Sequence, residues 1–351
     1  MKQFNSSLSL MLLFGVLISC NTSKVQSTSY EKSSMLKVLI LDGENNHWIW
    51  PKTTIMMKDY LEQTGRFRVD IARKKYTWHG SNQRDKEFYK RVALIEEFPI
   101  KDSKQTVAVV EPKVDAEFSP SFSEYDVVVS NLGWKASEWP EKTKQSFIEY
   151  MKNGGGLVVI HAANNSFGEW KEFNEMIGVG GWGGRNVESG PYIYFDRENN
   201  LTIDPSDGRC GSHGPQKEFL IKNRAPDHPI MKGLPAEWMH SKDELYENLR
   251  GPAKNVTVLA TAFSEKRTTG PKENKRVEGT DRHEPMLMVI NYGKGKIFHS
   301  TLGHMDYSME SVGFVTTLQR GAEWAATGEV TIPVPEDFPS AIEPKARKWG
   351  N

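Results

Sequence analysis

Four histidines in loops that carry glycine or asparagine are the residues of this 351-residue sequence best suited to chemistry: His47, His161, His213 and His304. An imidazole can act as a general base or as a metal ligand near neutral pH. None of the four is spaced like a local zinc motif, so a site would have to be assembled from distant loops. A hydrogen-bonded structural role is the alternative for each. This structural alternative is weaker for His161 and His304, because both lie where a predicted strand ends.

The segment SKDELYENL supplies a carboxylate and a phenol that could join these histidines. Ser241 followed by Glu244 matches a capping box, so the segment could simply begin a short helix. Alternatively Asp243, Glu244 and Tyr246 face the site, where Glu244 would transfer protons together with His161 or His304.

Tryptophans are frequent in the same loops, and the sequence contains 10 of them. Their faces can stack on the C–H faces of a sugar ring, with core packing as the alternative for any single one. Arg185 follows Trp182 after two glycines, and Asn164 follows His161 closely, so both could reach a polar ligand. The loop tryptophans are Trp48, Trp50, Trp134, Trp170 and Trp182.

The elements that would position these residues follow a βαβ pattern. Apolar runs at 36–41, 67–71, 125–130 and 156–161 predict strands, and the segments 53–61 and 141–152 predict helices between them. Strands that are apolar throughout favour a parallel sheet covered on both faces. In such a sheet ligands bind beyond the carboxyl ends of the strands, where the candidate residues lie.

The second half of the chain has a more mixed pattern. Segments 192–195, 218–221 and 256–260 read as strands, and 286–290 is predicted to pair with 296–300 across a glycine turn. A closing helix is predicted at 311–327. The charged segments 74–90 and 266–283 are predicted to be long loops.

The charge balance restricts the classes of partner. With 45 basic and 45 acidic side chains, the sequence gives no reason to expect nucleic acid or an anionic membrane surface as a ligand. A small neutral molecule, such as a carbohydrate, fits better. The oligomeric state stays open.

The amino terminus resembles a bacterial export signal. Lys2 precedes an apolar run at 8–18, and Leu17-Ile18-Ser19-Cys20 resembles a lipobox. We expect residues 1–20 to be a lipoprotein signal peptide, Cys20 to be lipidated, and 21–34 to be a flexible tether to the cell envelope, facing the periplasm or the exterior. An ordinary cleaved signal peptide is the alternative. Cys210 would then be the one remaining cysteine, without a disulfide partner.

Several motifs together resemble the ThuA-like family, which is associated with trehalose utilisation. They are NNHWIW, GGGLVVIHAA, HPIMKGLP followed by DELY, and YGKGKIF followed by LGH. The resemblance spans residues 35–328 and leaves 329–351 as a C-terminal tail. It implies a flavodoxin-like, class I glutamine amidotransferase-like α/β sandwich of three layers with a mostly parallel central sheet.

The resemblance also implies what the site does and does not do. Amidotransferases carry a cysteine at the sharp turn after the strand that matches 157–161, whereas this chain has His161-Ala162-Ala163. Without a thiolate, glutaminase chemistry is not expected. We expect a protein that processes a glycoside or keto-glycoside, as an isomerase, lyase or hydrolase, with or without a divalent metal ion. A non-catalytic sugar-binding or assembly domain is the alternative.

Overall fold

The structure is a computed structural model that describes Met1 and residues 35–78, 85–100, 106–270 and 276–350. Residues 35–351 form one compact unit. The expected signal peptide beyond Met1, the tether and Cys20 lie outside the described residues. Within the described ranges, no helix combines the length and apolar character needed to cross a bilayer.

Seventeen strands are present in the described part of the chain. In the first half they are β1 (Leu36–Asp42), β2 (Phe67–Arg73), β3 (Tyr76–Trp78), β4 (Val107–Val109), β5 (Val127–Ser130) and β6 (Gly156–Ile160). In the second half they are β7 (Tyr192–Phe195), β8 (Leu201–Asp204), β9 (Ser212–His213), β10 (Lys217–Asn223), β11 (Glu237–Asp243), β12 (Tyr246–Glu247), β13 (Val256–Ser264), β14 (Arg267–Thr269), β15 (Arg276–Glu278), β16 (Arg282–Tyr292) and β17 (Gly295–Ser300).

Six α-helices connect or follow these strands in the described residues. They are α1 (Trp50–Glu62), α2 (Asp85–Glu97), α3 (Glu141–Lys152), α4 (Lys171–Ile177), α5 (Asp306–Met309) and α6 (Val312–Thr327). Pro51 occupies the first turn of α1, where its missing N–H costs no helical hydrogen bond. Gly328 ends α6 with a φ of 84°, a left-handed conformation that glycine adopts without a steric penalty.

An eleven-stranded sheet forms the centre of the molecule, in the order β11-β10-β13-β16-β17-β6-β5-β1-β2, with β7 and β8 attached through β16. The strands from β17 to β2 are all parallel to their neighbours. Only β16, β10 and β8 run opposite to the rest. The predicted α/β sandwich with a mostly parallel sheet is therefore confirmed.

Both faces of the sheet are covered by helices. Alternate residues of β1 point to opposite faces, so Val38 and Ile40 join one buried apolar cluster and Leu39 and Leu41 join the other. Apolar residues of α1 and α6 complete the first cluster, and those of α3 and α4 complete the second. This three-layer arrangement explains why the parallel strands read as continuous apolar runs.

Most elements predicted from the sequence are present, with ends shifted by a few residues. The hairpin of β16 and β17 turns at Gly293, whose φ is 59°. The expectation of long loops at 74–90 and 266–283 was wrong in part. The first contains β3 and the start of α2, whose Lys and Glu residues favour a helix despite their charge. The second contains β14, which pairs with β15.

The residues after α6 pack against the rest of the unit. The buried carboxylate of Glu323 accepts the backbone N–H groups of Thr331 and Ile332 at 2.8 and 3.0 Å. Further along, the Trp349 indole donates to Asp59 at 3.0 Å. The described part of the expected tail, residues 329–350, is thus held by α6 and α1.

Candidate active site

Three histidines lie at the carboxyl ends of three parallel strands. His47 lies in the loop after β1, His161 directly follows β6, and His304 follows β17. Their ring centroids are 5.1 Å apart for His47 and His161, 4.5 Å for His47 and His304, and 5.3 Å for His161 and His304. The sheet topology thus brings together side chains that are up to 257 residues apart in the sequence, the difference between positions 304 and 47.

The turn after β6 is as sharp as the sequence suggested. His161 has a φ of 45°, which is uncommon for a residue other than glycine, and a short 3-10 helix, His161–Asn165, begins there. Such backbone strain is often found at functional sites. The imidazole therefore occupies the place where a strand-to-helix elbow presents a nucleophile in related α/β architectures.

The carboxylate of Glu244 lies against these rings. Its Oε2 is 3.8 Å from His161 Nε2, and its Oε1 is 3.3 Å from His304 Nε2. His213 approaches from the other side, with Nδ1 3.5 Å from Oε1. Burial raises the pKa of Glu244, while the charge of His213 opposes that change.

Burial controls the protonation of two imidazoles in this cluster. It lowers the pKa of His161 to about 4 and that of His304 to about 3, where the charge of neighbouring His161 adds to the effect. Both rings are therefore neutral at physiological pH. A neutral imidazole has a lone pair for a proton or a metal ion.

Asp243 holds the end of β11 against the end of β17. Its buried carboxylate accepts the backbone N–H groups of Gly303 at 2.8 Å and of His304 at 3.0 Å. It also pairs with the imidazole of His240 at 2.9 Å. Burial would raise the pKa of Asp243, but its bonds and the charge of His240 lower it to about 2. Asp243 is therefore a charged positioning residue that fixes His304.

The capping-box interpretation of Ser241 and Glu244 was wrong. Residues 237–243 form β11 and residues 246–247 form β12, so no helix begins there. Strand pairing overrides the local preference, because Tyr246 pairs with His213 of β9. This pairing brings both side chains to the site, although the glycine-rich segment around His213 reads as a loop in the sequence.

A cavity of about 540 Å³ opens above the cluster, a volume typical of small-molecule sites. Three expected tryptophans, Trp48, Trp134 and Trp182, contribute to its wall, and the Trp182 ring lies 5.0 Å from that of Tyr246. The residues that line it are Asn46, His47, Trp48, Trp134, Asn165, Trp182, His213, Gln216, Glu244, Tyr246, His304, Met305 and Tyr307.

Several of the expected site residues are not brought to this cavity. Trp50 is fully buried at the start of α1, beneath the Arg73 guanidinium. Asn164 is buried and bonds to His299 at 3.0 Å. Arg185 donates to the carbonyl oxygen of Ser166 at 2.7 Å and to other groups of the same loops, so its guanidinium supports the loop structure. Trp170 packs in the second apolar cluster.

Other site residues were not among the sequence candidates. Tyr307 bonds to Gln216 across the mouth of the cavity, and Asn165 lies 3.5 Å from the Tyr246 hydroxyl. Asn165 could have been found from its place one residue after Asn164, and Tyr307 from its place after His304. Gln216 carries no such indication. Cys210 does not line the cavity, and burial raises the pKa of its thiol.

Four side chains form a compact set of donor atoms. One atom each from His47, His161, Glu244 and His304 lies within 4.8 Å of the others. His213, the other histidine expected as a metal candidate, has its Nδ1 2.9 Å from the carbonyl oxygen of Gly214 and is more exposed. Three imidazoles and one carboxylate are donors suited to a metal ion of the zinc type.

Comparison with known proteins identifies relatives of this chain. The profile of the ThuA family, described as "Trehalose utilisation", matches residues 37–325. A ThuA-like protein from Parabacteroides merdae of known crystal structure is 38% identical, with a TM-score of 0.72 over 89% of this chain and 98% of its own. A ThuA-like protein from Bacteroides uniformis is 19% identical, with a TM-score of 0.51 over 87% of this chain and 96% of its own, and shares the fold. No curated protein matches.

Proposed function

The chain belongs to the ThuA family, which is described by trehalose utilisation, and from that membership and the export signal expected at residues 1–20 we propose that it is a cell-envelope enzyme that processes a glycoside or keto-glycoside. The observation that carries the proposal is the position of Glu244. Its carboxylate lies at the floor of an aromatic cavity, in contact distance of the rings of His161, His213 and His304.

The walls of the cavity suit a sugar. Trp48, Trp134 and Trp182 provide flat apolar faces, while Asn46 and Gln216 provide amide groups that can donate to and accept from hydroxyls. Carbohydrates combine apolar C–H faces with a ring of hydroxyl groups. The mixed lining therefore matches this class better than it matches a purely apolar or strongly charged ligand.

The floor of the cavity suits proton transfer. Burial raises the pKa of Glu244 toward the range in which a carboxyl group both gives and takes a proton efficiently. The neutral rings of His161 and His304 lie beside it, and because their pKa values are lowered to about 4 and about 3, the proton stays on Glu244 until it moves to the sugar. In the proposed enzyme, Glu244 moves a proton at the sugar and His304 assists, whichever of isomerisation, elimination or hydrolysis takes place.

Glutaminase chemistry does not fit this site. The residue at the turn after β6 is His161, followed by Ala162 and Ala163, and the cavity lining contains no cysteine among the described residues. A thioester intermediate needs a thiolate at that turn.

A comparison of Glu244→Gln with Glu198→Gln tests the proposal. The first change keeps the size of a cavity residue and removes its acid–base function, whereas Glu198 is exposed and remote from the cavity lining. Both variants and the parent are incubated with trehalose, other disaccharides and their 3-keto forms, and the products are separated by chromatography. We expect Glu244→Gln to lose roughly a hundredfold or more of the rate, with sugar affinity changed little, and Glu198→Gln to match the parent.

Two results would overturn this function. Equal rates for Glu244→Gln and the parent would remove the carboxylate from the mechanism. Saturable binding of a sugar by the parent, measured by calorimetry without turnover of any substrate in the panel, would establish a sugar-binding protein in place of an enzyme.

A further inference from the structure

We propose that His47, His161, Glu244 and His304 are the ligands of a single divalent transition-metal ion. The inference deepens the proposed function, since the role of the ion in catalysis rests on it: with the ion bound, Glu244 and the imidazoles would act on the sugar through the ion in place of direct proton transfer. The binding of the ion rests on the donor atoms alone and is measured without sugar.

The spacing of the donors is close to that of a four-coordinate site. Zinc bonds of about 2.0–2.1 Å in a tetrahedron separate the ligand atoms by about 3.3–3.4 Å. Glu244 Oε1 and His304 Nε2 are 3.3 Å apart, Glu244 Oε2 and His161 Nε2 are 3.8 Å apart, and no donor pair of the set exceeds 4.8 Å. The donor atoms are therefore near the spacing that one four-coordinate ion requires.

The His161 ring is held in the orientation and tautomer of a ligand. Its Nδ1 lies 2.7 Å from the carbonyl oxygen of Thr301, which can only accept, so Nδ1 carries the hydrogen. Nε2 therefore presents a lone pair toward Glu244, and this buried atom has no hydrogen-bond partner among the described residues. Metal-bound histidines characteristically donate their other N–H to a carbonyl or carboxylate in this way.

The positions of the ligands leave the substrate side accessible. His47, Glu244 and His304 line the large cavity, whereas His161 lies behind them and lines a separate small space of about 10 Å³ together with His47 and His304. The cluster thus separates the cavity from the core. Because four protein ligands fill a tetrahedron, a sugar carbonyl or hydroxyl oxygen would have to enter from the cavity as a fifth ligand, where the ion could polarise it.

The donor types select the class of ion. Three imidazole nitrogens and one carboxylate favour zinc and neighbouring transition metals, whereas magnesium and calcium prefer oxygen ligands. His213 is excluded from the set because its Nδ1 faces the carbonyl oxygen of Gly214 and its side chain is 44% exposed.

The test measures metal content and affinity in the full-length chain. Protein stripped with a chelator is dialysed against Zn²⁺, and bound metal is determined by elemental analysis. We expect one equivalent of Zn²⁺, a raised melting temperature, and no comparable effect of Mg²⁺. Glu244→Gln and His304→Asn should each weaken Zn²⁺ binding by more than about a hundredfold, since even outer-sphere partners are worth about 10–100-fold. His213→Asn should retain one equivalent.

A spectroscopic measurement on the parent protein does not depend on the folding of any variant. Co²⁺ bound by three nitrogens and one oxygen should give visible absorption bands that Zn²⁺ abolishes by displacement. Absence of a bound equivalent of Zn²⁺ together with absence of these bands would overturn the inference. So would Zn²⁺ binding of undiminished affinity in a folded His47→Asn/His304→Asn double variant. A protein that binds Zn²⁺ but no sugar would retain this inference and reject the proposed function.

Discussion

The His161 imidazole is bound through Nδ1 to the carbonyl oxygen of Thr301, at 2.7 Å. Thr301 directly follows β17, and His161 directly follows β6, its parallel neighbour in the sheet. The carbonyl group after β17 therefore sets the tautomer of the histidine after β6. The left-handed backbone of His161 is the second constraint at this position, since its φ is 45°.

The two constraints at His161 can be separated by two substitutions. Asparagine tolerates a positive φ, whereas β-branched valine does not. We expect His161→Asn to lose about 1 kcal/mol of unfolding free energy with the lost hydrogen bond, and His161→Val to lose about 1–3 kcal/mol more through strain. Both should lose sugar turnover. Urea denaturation and initial rates measure these effects, and a valine variant as stable as the asparagine variant would show that the turn is unstrained.

Asp243→Asn should destabilise the protein strongly. The buried carboxylate carries a negative charge among three donors from the backbone of Gly303 and His304 and the ring of His240. Breaking such a buried pair costs about 3–5 kcal/mol. Asp306→Asn is the control, because Asp306 pairs with Lys52 where both side chains are 25% exposed, and such pairs contribute at most about 1 kcal/mol. Similar denaturation midpoints for the two variants would contradict the positioning role of Asp243.

Trp182 is expected to contribute to sugar affinity through its ring face. Its indole lies in the cavity wall, 5.0 Å from the ring of Tyr246. Trp182→Ala should weaken sugar binding about tenfold, in line with aromatic contacts of roughly 0.5–1.5 kcal/mol, while Trp182→Phe should keep most of the affinity. Isothermal titration calorimetry decides between these outcomes. If the alanine and phenylalanine variants bind equally well, the aromatic face contributes nothing.

Glu323 should make stability depend on pH in the acidic range. Burial would raise its pKa, but the hydrogen bonds from Thr331 and Ile332 and from the Arg66 guanidinium lower it below the ordinary 4.5. A carboxylate with a lowered folded-state pKa stabilises fully above the unfolded value and loses that contribution as pH falls through the folded value. Glu323→Gln should therefore cost about 1–3 kcal/mol at pH 7 and progressively less below about pH 4. A difference from the parent that is constant between pH 7 and pH 3 would be inconsistent with this linkage.

Cys20 should become the acylated amino terminus of the mature protein. The apolar run at 8–18 and the sequence Leu17-Ile18-Ser19-Cys20 are the basis of this expectation. Mass spectrometry of protein extracted from membranes should find lipid on Cys20, and Cys20→Ala should release the protein from the membrane fraction. A mature chain that begins at another residue would remove the lipid anchor.

The sheet and the histidine cluster were predictable because both depend on regular rules. The apolar runs predicted the parallel strands. The general rule that ligands bind beyond the carboxyl ends of parallel strands predicted the region where His47, His161 and His304 meet. The rule places loops at one edge, but it does not say which side chains in them turn inward. Arg185 and Asn164 lie in the right loops, yet Arg185 binds a carbonyl oxygen of those loops and Asn164 binds His299 of β17.

The partners that position the site were harder to find. His240 carries no motif, because its pairing with Asp243 depends on the path of the chain at the end of β11. Glu244 satisfied a helix-capping pattern equally well, and only the pairing of β12 with β9 decides against the helix. Local sequence patterns do not contain that non-local pairing.

The cluster draws its members from both halves of the sheet. The three imidazoles follow strands of the parallel half, whereas Glu244 follows β11 at the far edge of the antiparallel half. A folding intermediate with only the parallel half in place would hold the nitrogen donors without the carboxylate. The donor set is complete only when both halves of the sheet are in place, so a probe of that set would report their docking during refolding.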